Sequence, residues 1–463
     1  MSTLPFALQL APAFQFMPAQ PISDRSLATR TSALPPDDGL REVLHNEVHA
    51  RPPARIRLPA LVVYVAVLNE GVSREMEWEH LKRLPGQEDL TLDQLSGNFQ
   101  RLRFANHTLK WERHTEFTRY SLVQALPDMA LQGCTDEEML QSLVVDPQWL
   151  AQIPGKTINA IMLAMVHGDV DDPNAMRNTA APWVEDPAML ASLLGIRRSC
   201  AMTDFRLRPS GFERILVISP PNTSELRSGR TSQRLLELET YRLMALRGLP
   251  VAKELGAMLG QSEAQLAEIT AQMENTEASD QELLKQLIGL AARVERATSM
   301  HMYRFSATEA YYNLVEQRIT QLRETPIPGT QTIGEFMQRR VAPAMTTVQA
   351  TARRLGSLSQ RIERASALLR TRVDIATETQ NQMLLEKLTK GQALQLRLQT
   401  TVEGLSIAAI SYYVVSLILY MGKAGKAAGL PINPEILAGS LIPAVLLGIW
   451  WGTQRIHKIL HEH

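Results

Sequence analysis

Two uninterrupted apolar stretches lie near the C-terminal end of the chain. Gly404 to Gly422 and Ile436 to Gly452 contain no charged side chain. At about 1.5 Å of rise per residue they span roughly 28 and 25 Å, close to the roughly 30 Å hydrocarbon core of a bilayer. The segment between them contains Gly429, Pro431 and Pro434, which end a helix and turn the chain. The pattern predicts a hairpin of two transmembrane helices, 404–422 and 436–452.

Aromatic and charged residues around this hairpin predict its depth and orientation. Tyr420, Trp450 and Trp451 stand near the ends of the two helices, where amphipathic rings favour the headgroup layer. A hairpin places both of its ends on one side of the membrane. The N-terminal apolar stretch has no basic segment before it, so we expect residues 1–38 to be a mobile tail. We therefore predict a cytoplasmic main body and a cytoplasmic basic, histidine-containing tail, 453–463.

The first half of the chain alternates between strand-like and helix-like patterns. Leu58 to Leu68 is an apolar, β-branched run that is typical of a buried strand, and Val72 to Leu84 has the periodicity of an amphipathic helix. Further strands are predicted at 99–105, 109–114, 116–123, 157–166, 200–208 and 212–219. These elements predict an α+β domain with a mixed α/β sheet over residues 39–228.

The second half of the chain has only helical patterns before the hairpin. Helices are predicted at 231–246, 250–275, 280–323 and 332–399. From Val341 to Met383 a 4-3 alternation of apolar, small and polar residues forms a heptad seam. Residues 229–400 are therefore predicted to be a helical stalk, either a bundle within one chain or a coiled coil between copies.

Charge separates these regions, although the whole chain carries 48 basic and 48 acidic side chains. Residues 1–228 hold 22 basic and 27 acidic side chains, whereas residues 229–463 hold 26 and 21. The balance argues against nucleic-acid binding, which needs a basic excess. Two cysteines, Cys134 and Cys200, cannot form a disulfide framework, which favours a reducing compartment.

One candidate site lies on a short predicted helix that Asp37 or Asp38 caps, with Leu40 and Leu44 facing inward. His45 and His49 are four residues apart and share a helix face, so they can bind one metal ion. Glu47 stands two residues after His45, which does not match the zinc protease pattern. Glu47 and Arg51 complete the candidate ligand-binding set, and the alternative is a pair of hydrogen-bonded structural histidines.

A second candidate site lies on the strand pattern around Trp111. On an extended strand Glu112, His114 and Glu116 point to one face and Trp111 to the other. Two carboxylates around an imidazole are able to ligate a divalent metal ion, which is the candidate cofactor. The alternative is an exposed polar face of the sheet. Convergence of this group with His45 and His49 would favour the metal site.

Several segments resemble a known bacterial family. LHNEVHARPP from Leu44, LKWERHTEF from Leu109 and LQLRLQTTVEGLSIAAISYYVV from Leu394 are similar to the domain of unknown function 3422 family. The resemblance covers about residues 39–455 and implies a bacterial membrane-associated protein, with no catalytic residues to transfer. The architecture also resembles CorA-type magnesium channels. Their Gly-Met-Asn motif is replaced here by Tyr420, Met421, Gly422 and Lys423.

These patterns favour a non-enzymatic protein of the bacterial inner membrane. A cytosolic sensory or interaction domain would stand on a self-associating stalk that the hairpin anchors. The expected partners are the lipid bilayer and further copies of the chain, with no nucleic acid. A divalent-cation channel and a metal-dependent membrane enzyme are the alternatives.

Overall fold

The computed structural model describes residues 38–41, 44–45, 52–104, 107–184, 189–274, 279–428 and 433–461. The chain divides into two compact units. The first contains the described residues up to Ala245 together with Ala310–Pro343, and the second contains Leu246–Glu309 and the chain from Ala344 onward. The predicted α+β class is confirmed. The first unit extends beyond residue 228 and takes in a returning segment that the sequence pattern placed with the stalk.

A nine-stranded mixed sheet forms the centre of the first unit. Its strands are β1 (Ala60–Leu68), β2 (Phe99–Phe104), β3 (His107–Arg113), β4 (Phe117–Ala125), β5 (Lys156–His167), β6 (Leu190–Leu194), β7 (Ser199–Thr203), β8 (Glu213–Ser219) and β9 (Thr325–Pro326). Their order across the sheet is β2-β3-β4-β1-β5-β8-β7-β6-β9. Only the β5–β8 pairing is parallel among the described strands. Each strand that the sequence patterns predict has a counterpart here.

Short helices cover one face of the sheet. They are α1 (Arg74–Lys82), α2 (Asp136–Gln141), α3 (Pro147–Ala151) and α4 (Pro173–Ala180), with 3-10 turns at Leu92–Leu95 and Asp128–Leu131. Alternate residues of the central strands, such as Val63 and Val65, join Trp111 and Trp183 in a single buried core on this face. The period-two pattern therefore correctly predicts the side to which Trp111 points.

The opposite face of the sheet packs against helix α5 (Glu225–Leu246). The Tyr64 hydroxyl lies 2.8 Å from the hydroxyl of Thr240, and Asn159 Nδ2 donates to the same oxygen over 3.2 Å. Gly229 allows an extended segment to cross the helix closely, because a Cβ at this position would lie only 1.6 Å from the Ala54 carbonyl oxygen. This helix is therefore a fixed part of the sheet domain.

The second unit contains three helical segments that pack side by side. They belong to α6 (Gly248–Glu274), α7 (Asp280–Leu322) and the long helix α9 (Ala342–Ala427); helix α8 (Ile333–Arg340) precedes α9 and helix α10 (Pro434–His461) follows it. Arg354 pairs with Glu263 over 2.7 Å, and Arg372 pairs with Asp280 over 3.1 Å. Acidic residues of both α6 and α7 thus pair with arginines of α9.

The heptad seam is divided into two parts by this packing. Its apolar positions from Met345 to Leu369 are buried in the second unit, as an intramolecular bundle requires. From residue 374 to 400 every residue of α9 is exposed. The first part of the seam therefore packs within the chain, as the intramolecular alternative predicts, and a coiled coil between copies stays a prediction.

Candidate functional site

The two C-terminal helices expose most of their apolar surface. By length and composition, α9 and α10 are able to cross a membrane, and only 6% of each apolar window is buried. The core helix of a soluble protein would be mostly buried instead. Gly422 provides the contact between the two helices, because a Cβ here would lie 3.3 Å from Pro434. The helices therefore meet at the turn.

The predicted interfacial aromatic residues are exposed near basic side chains. Tyr420 is 67% exposed, Trp450 50% and Trp451 62%. The Lys423 ammonium lies 5.8 Å from the centre of the Tyr420 ring, and the Arg455 guanidinium lies 5.4 Å from that of Trp451. A ring beside a cation at the end of an apolar helix suits the boundary between hydrocarbon and water.

The helix predicted around His45 begins as expected, but its two described leucines are exposed. Asp38 Oδ1 accepts hydrogen bonds from the backbone N–H groups of Leu40 and Arg41, which confirms the cap. Leu40 and Leu44 are exposed, so the inward orientation predicted for them is wrong. His45 is also exposed. The remaining candidates of this segment, Glu47, His49 and Arg51, lie outside the described residues.

Glu112 lies in a buried ionic network. Its carboxylate pairs with Arg119 on the neighbouring strand and with Lys110 two residues earlier, where Nζ lies 3.2 Å from Oε1. Arg119 reaches onward to Glu237 of α5, over 3.2 Å. Arg318 is the last member of the network and donates to Glu237 over 2.7 Å. The network therefore joins the sheet to two helices of the first unit.

Opposite charges control the ionisation of this network. Burial alone would raise the pKa of Glu112, but the charges and hydrogen bonds of Arg119 and Lys110 outweigh it and lower the pKa to about 2. Burial likewise opposes ionisation of Glu237, whose pKa is lowered by Arg119, Gln233 and Arg318. Glu112 is therefore charged and already paired on both of its oxygens.

His114 and Glu116 do not share a strand face with Glu112. Strand β3 ends at Arg113 and β4 begins at Phe117, so residues 114–116 form a turn. Asn69 holds this turn, because its side chain donates to the His114 carbonyl over 2.8 Å and its N–H donates to the Glu116 carbonyl over 3.1 Å. The two strands predicted at 109–114 and 116–123 have counterparts in β3 and β4, but the common face that we predicted for Glu112, His114 and Glu116 is wrong because of this turn.

The His114 ring borders a separate cavity of about 430 Å³. It stacks on Phe117 with ring centres 4.6 Å apart. Tyr241 and Tyr311, which stack on each other at 6.0 Å, line the same cavity. Within the described part of the chain, His, Cys, Asp and Glu side chains nowhere gather in a group of three or more that could hold a metal ion. The metal site through His49 stays a prediction.

An arginine-lined cavity is the feature that sequence reasoning missed. Its volume is about 250 Å³, and five arginines line it: Arg198, Arg227, Arg230, Arg234 and Arg323. Three of these follow one another on α5 at spacings of three and four residues, which places them on one helix face. That spacing is visible in the sequence. The remaining two come from separate turns that only the fold brings to this helix.

The fold and these sites define an α+β protein with a separate helical unit and two C-terminal helices able to cross a membrane. The model of the family described as "Protein of unknown function (DUF3422)" matches residues 36–460. The chain therefore belongs to this family. No curated protein and no solved structure matches the chain. The looser similarity to CorA-type channels is thus not shown by these comparisons.

The ionic network predicts a specific acid sensitivity. The folded-state pKa of Glu112 lies below the value of about 4.3 for an unfolded chain. Its stabilising contribution is therefore fully present above pH ~4.3 and is lost as the pH falls towards 2. We expect Glu112→Gln to lower the unfolding midpoint at pH 7 and to flatten its dependence on acidic pH. Thermal unfolding followed by circular dichroism across this range measures both effects.

Glu70→Gln is the matched control, because Glu70 is exposed at the end of β1. It should leave both the midpoint and its pH dependence close to those of the wild type. An acid response of Glu112→Gln equal to that of the wild type would show that the network does not stabilise the fold through charge.

Proposed function

We propose that this chain is a membrane-anchored, non-enzymatic interaction protein of the bacterial inner membrane. The observation that carries the proposal is the exposed apolar surface of α9 and α10. Apolar area exposed to water costs about 25 cal/mol per Å², so a surface of this extent needs an apolar partner. Two helices that lack charge over the thickness of a bilayer fit lipid as that partner.

Two side chains that could carry chemistry are buried in the sheet domain. Glu112 is held between cations and is buried in the sheet domain. Cys200 is a buried thiol whose pKa burial raises to about 12, so it is a poor nucleophile at neutral pH. These side chains stabilise the fold in their present positions. A metal-dependent enzyme is the alternative, and it depends on the segment around His49.

The proposed orientation places both ends of the hairpin in the cytoplasm. Arg397 and Arg455 flank the two helices on the side of the chain ends, while Lys423 and Lys426 flank the connecting turn. Lys458 adds one more basic residue on the side of the chain ends. This small excess supports cytoplasmic ends under the positive-inside rule. The family resemblance stated above implies a bacterial membrane-associated protein, and helical spans rather than a closed sheet favour the inner membrane.

We also propose that the exposed part of α9 is where copies of the chain associate. Leu384, Leu388, Leu398, Val402 and Leu405 are exposed and lie on one 4-3 alternation, whose two remaining positions are Gly391 and Gln395. This alternation is offset by one residue from the seam that ends at Met383. Such a seam on a long helix matches the surface that a parallel coiled coil buries. It runs directly into the first apolar stretch, where two-dimensional confinement would raise the local concentration of copies.

Charge placed within the first apolar stretch should weaken membrane retention. An arginine at the centre of a membrane helix costs about 2.5–3.5 kcal/mol. We expect full-length wild-type protein to remain with membranes during alkaline carbonate extraction, and the double variant Ile410→Arg, Leu417→Arg to be released in large part. Immunoblotting of the pellet and the supernatant measures the released fraction.

Ile375→Arg is the control, since this exposed residue lies on the same helix well before the apolar stretch. It should remain in the pellet like the wild type. Release of the wild-type protein by carbonate, or equal retention of all three proteins, would contradict anchoring by this helix.

Acidic residues in the seam should separate associated copies. We expect Leu388→Glu with Leu398→Glu to shift the full-length protein in detergent to a smaller species, because repelling charges would face each other across the seam. Light scattering coupled to size-exclusion chromatography measures the mass. Leu396→Glu lies about 80° or more away from both positions on the helix and should leave the mass unchanged. A monomeric wild type would contradict the proposal.

A further inference from the structure

Five arginine residues line one cavity of the first unit. Arg227, Arg230 and Arg234 approach it from α5, and Arg198 and Arg323 complete its lining. Thr231 contributes a hydroxyl from the same helix. No carboxylate is part of this lining among the described residues. The cavity therefore has hydrogen-bond donors and positive charge on several sides.

Two turns bring the last pair of arginines to the helix. Arg198 ends the turn between β6 and β7, in which Gly195, Ile196 and Arg197 all have positive φ. Arg323 follows the last residue of α7 and also has positive φ, at 48°. The Gly195 N–H donates to the Leu322 carbonyl over 2.9 Å and so fixes one turn against the other. The backbone of these two turns therefore places Arg198 and Arg323 beside each other.

Ion pairs distinguish these five arginines from two arginines nearby. Arg197, on the same turn, pairs with Asp171 at 3.4 Å, and Arg318 pairs with Glu237 at 2.7 Å. Within the described part of the chain, none of the five cavity arginines forms an ion pair with a carboxylate. Arg234 donates to the Gln321 carbonyl over 3.2 Å and interacts electrostatically with Glu237, so the cluster as a whole keeps an excess of positive charge that a ligand could offset.

The positive charges around this cavity repel one another. Burial, followed by the charges of Arg230, Arg318 and Arg323, lowers the pKa of Arg234. Arg227 also lies in the first turn of α5, where the helix dipole already presents positive charge and disfavours a cation. An anion bound in the cavity would offset both the repulsion among the arginines and the unfavourable position of Arg227 at the helix N-terminus.

We propose that this cavity binds a phosphate-bearing anion. Guanidinium groups donate paired hydrogen bonds to phosphate oxygens, and several of them together favour a multiply charged group over a single carboxylate. The volume of about 250 Å³ corresponds to roughly eight water molecules at about 30 Å³ each. It accommodates a phosphate or diphosphate group with a small substituent. The binding site is independent of the anchoring proposed above.

The proposal predicts opposite effects on stability with and without ligand. Replacement of Arg230 and Arg323 by glutamine should leave the ligand-free protein as stable as the wild type or more stable, because repulsion is removed. The same double variant should lose the rise in unfolding temperature that pyrophosphate gives the wild type. A substitution that merely damaged the fold would lower the ligand-free stability instead.

Direct binding supplies the quantitative test. Isothermal titration of the full-length protein in a neutral detergent, with inorganic phosphate and with pyrophosphate, measures the affinity. We expect the double variant Arg230→Gln, Arg323→Gln to bind pyrophosphate at least about tenfold more weakly, since each lost charged hydrogen bond contributes to affinity. Added salt should weaken wild-type binding. Arg197→Gln, on the adjacent turn, is the matched control and should bind like the wild type.

Nanodiscs distinguish a soluble anion from a lipid headgroup. If the ligand is soluble, pyrophosphate should bind equally well in discs of phosphatidylcholine and in discs that also contain phosphatidic acid. If it is a phosphate headgroup, phosphatidic acid should block pyrophosphate binding in the wild type. The proposal is overturned if neither phosphate nor pyrophosphate binds, or if the double variant and Arg197→Gln bind with the affinity of the wild type.

Discussion

Exposed apolar side chains cover the two apolar stretches near the C-terminal end of the described residues, and water solvates such side chains poorly. The two C-terminal helices expose leucine, isoleucine, tyrosine and tryptophan side chains over two stretches that contain no charge. A helix satisfies its own backbone hydrogen bonds, so it is one of the few structures that hydrocarbon accepts. The proposed function depends on this constraint, because the proposed anchoring would come from these two helices.

The sheet domain is held together by a different interaction. Its two faces use different chemistry: apolar side chains fill the core around Trp111, while the face towards α5 carries the ionic network of Glu112, Arg119 and Glu237. Removing one partner from such a network leaves a buried charge without compensation, which costs about 3–5 kcal/mol. The network therefore fixes helix α5 on the sheet. That helix also carries three of the five arginines of the anion cavity.

Local patterns in the sequence were sufficient to predict most of the helices and strands. The β-branched run from Leu58 predicted β1 because a strand buried on both faces needs continuous apolar residues. Strand β6 was missed, since its five residues, LASLL, are short and mix small with large side chains. The two-residue strand β9 has no pattern of its own. Both depend on tertiary pairing, which a single sequence does not display.

The sites were harder to predict than the elements. Glu112 was placed correctly on the face opposite Trp111, but its cationic partners across the sheet have no sequence signature. His114 and Glu116 follow the alternation of a strand in sequence, yet Asn69 stabilises a turn at that position. The arginine cavity combines a visible helix face with residues from distant turns. Charge clusters of this kind form only when the chain folds.

The accessibility of cysteines on the two sides of the hairpin tests the central claim most directly. In intact cells, a membrane-impermeant maleimide should label Lys426→Cys in the connecting turn and should not label Arg455→Cys. Permeabilising the cells should make Arg455→Cys reactive. Labelling of both positions in intact cells, or of neither before permeabilisation and both after it, would contradict a hairpin that crosses the bilayer with its ends in the cytoplasm.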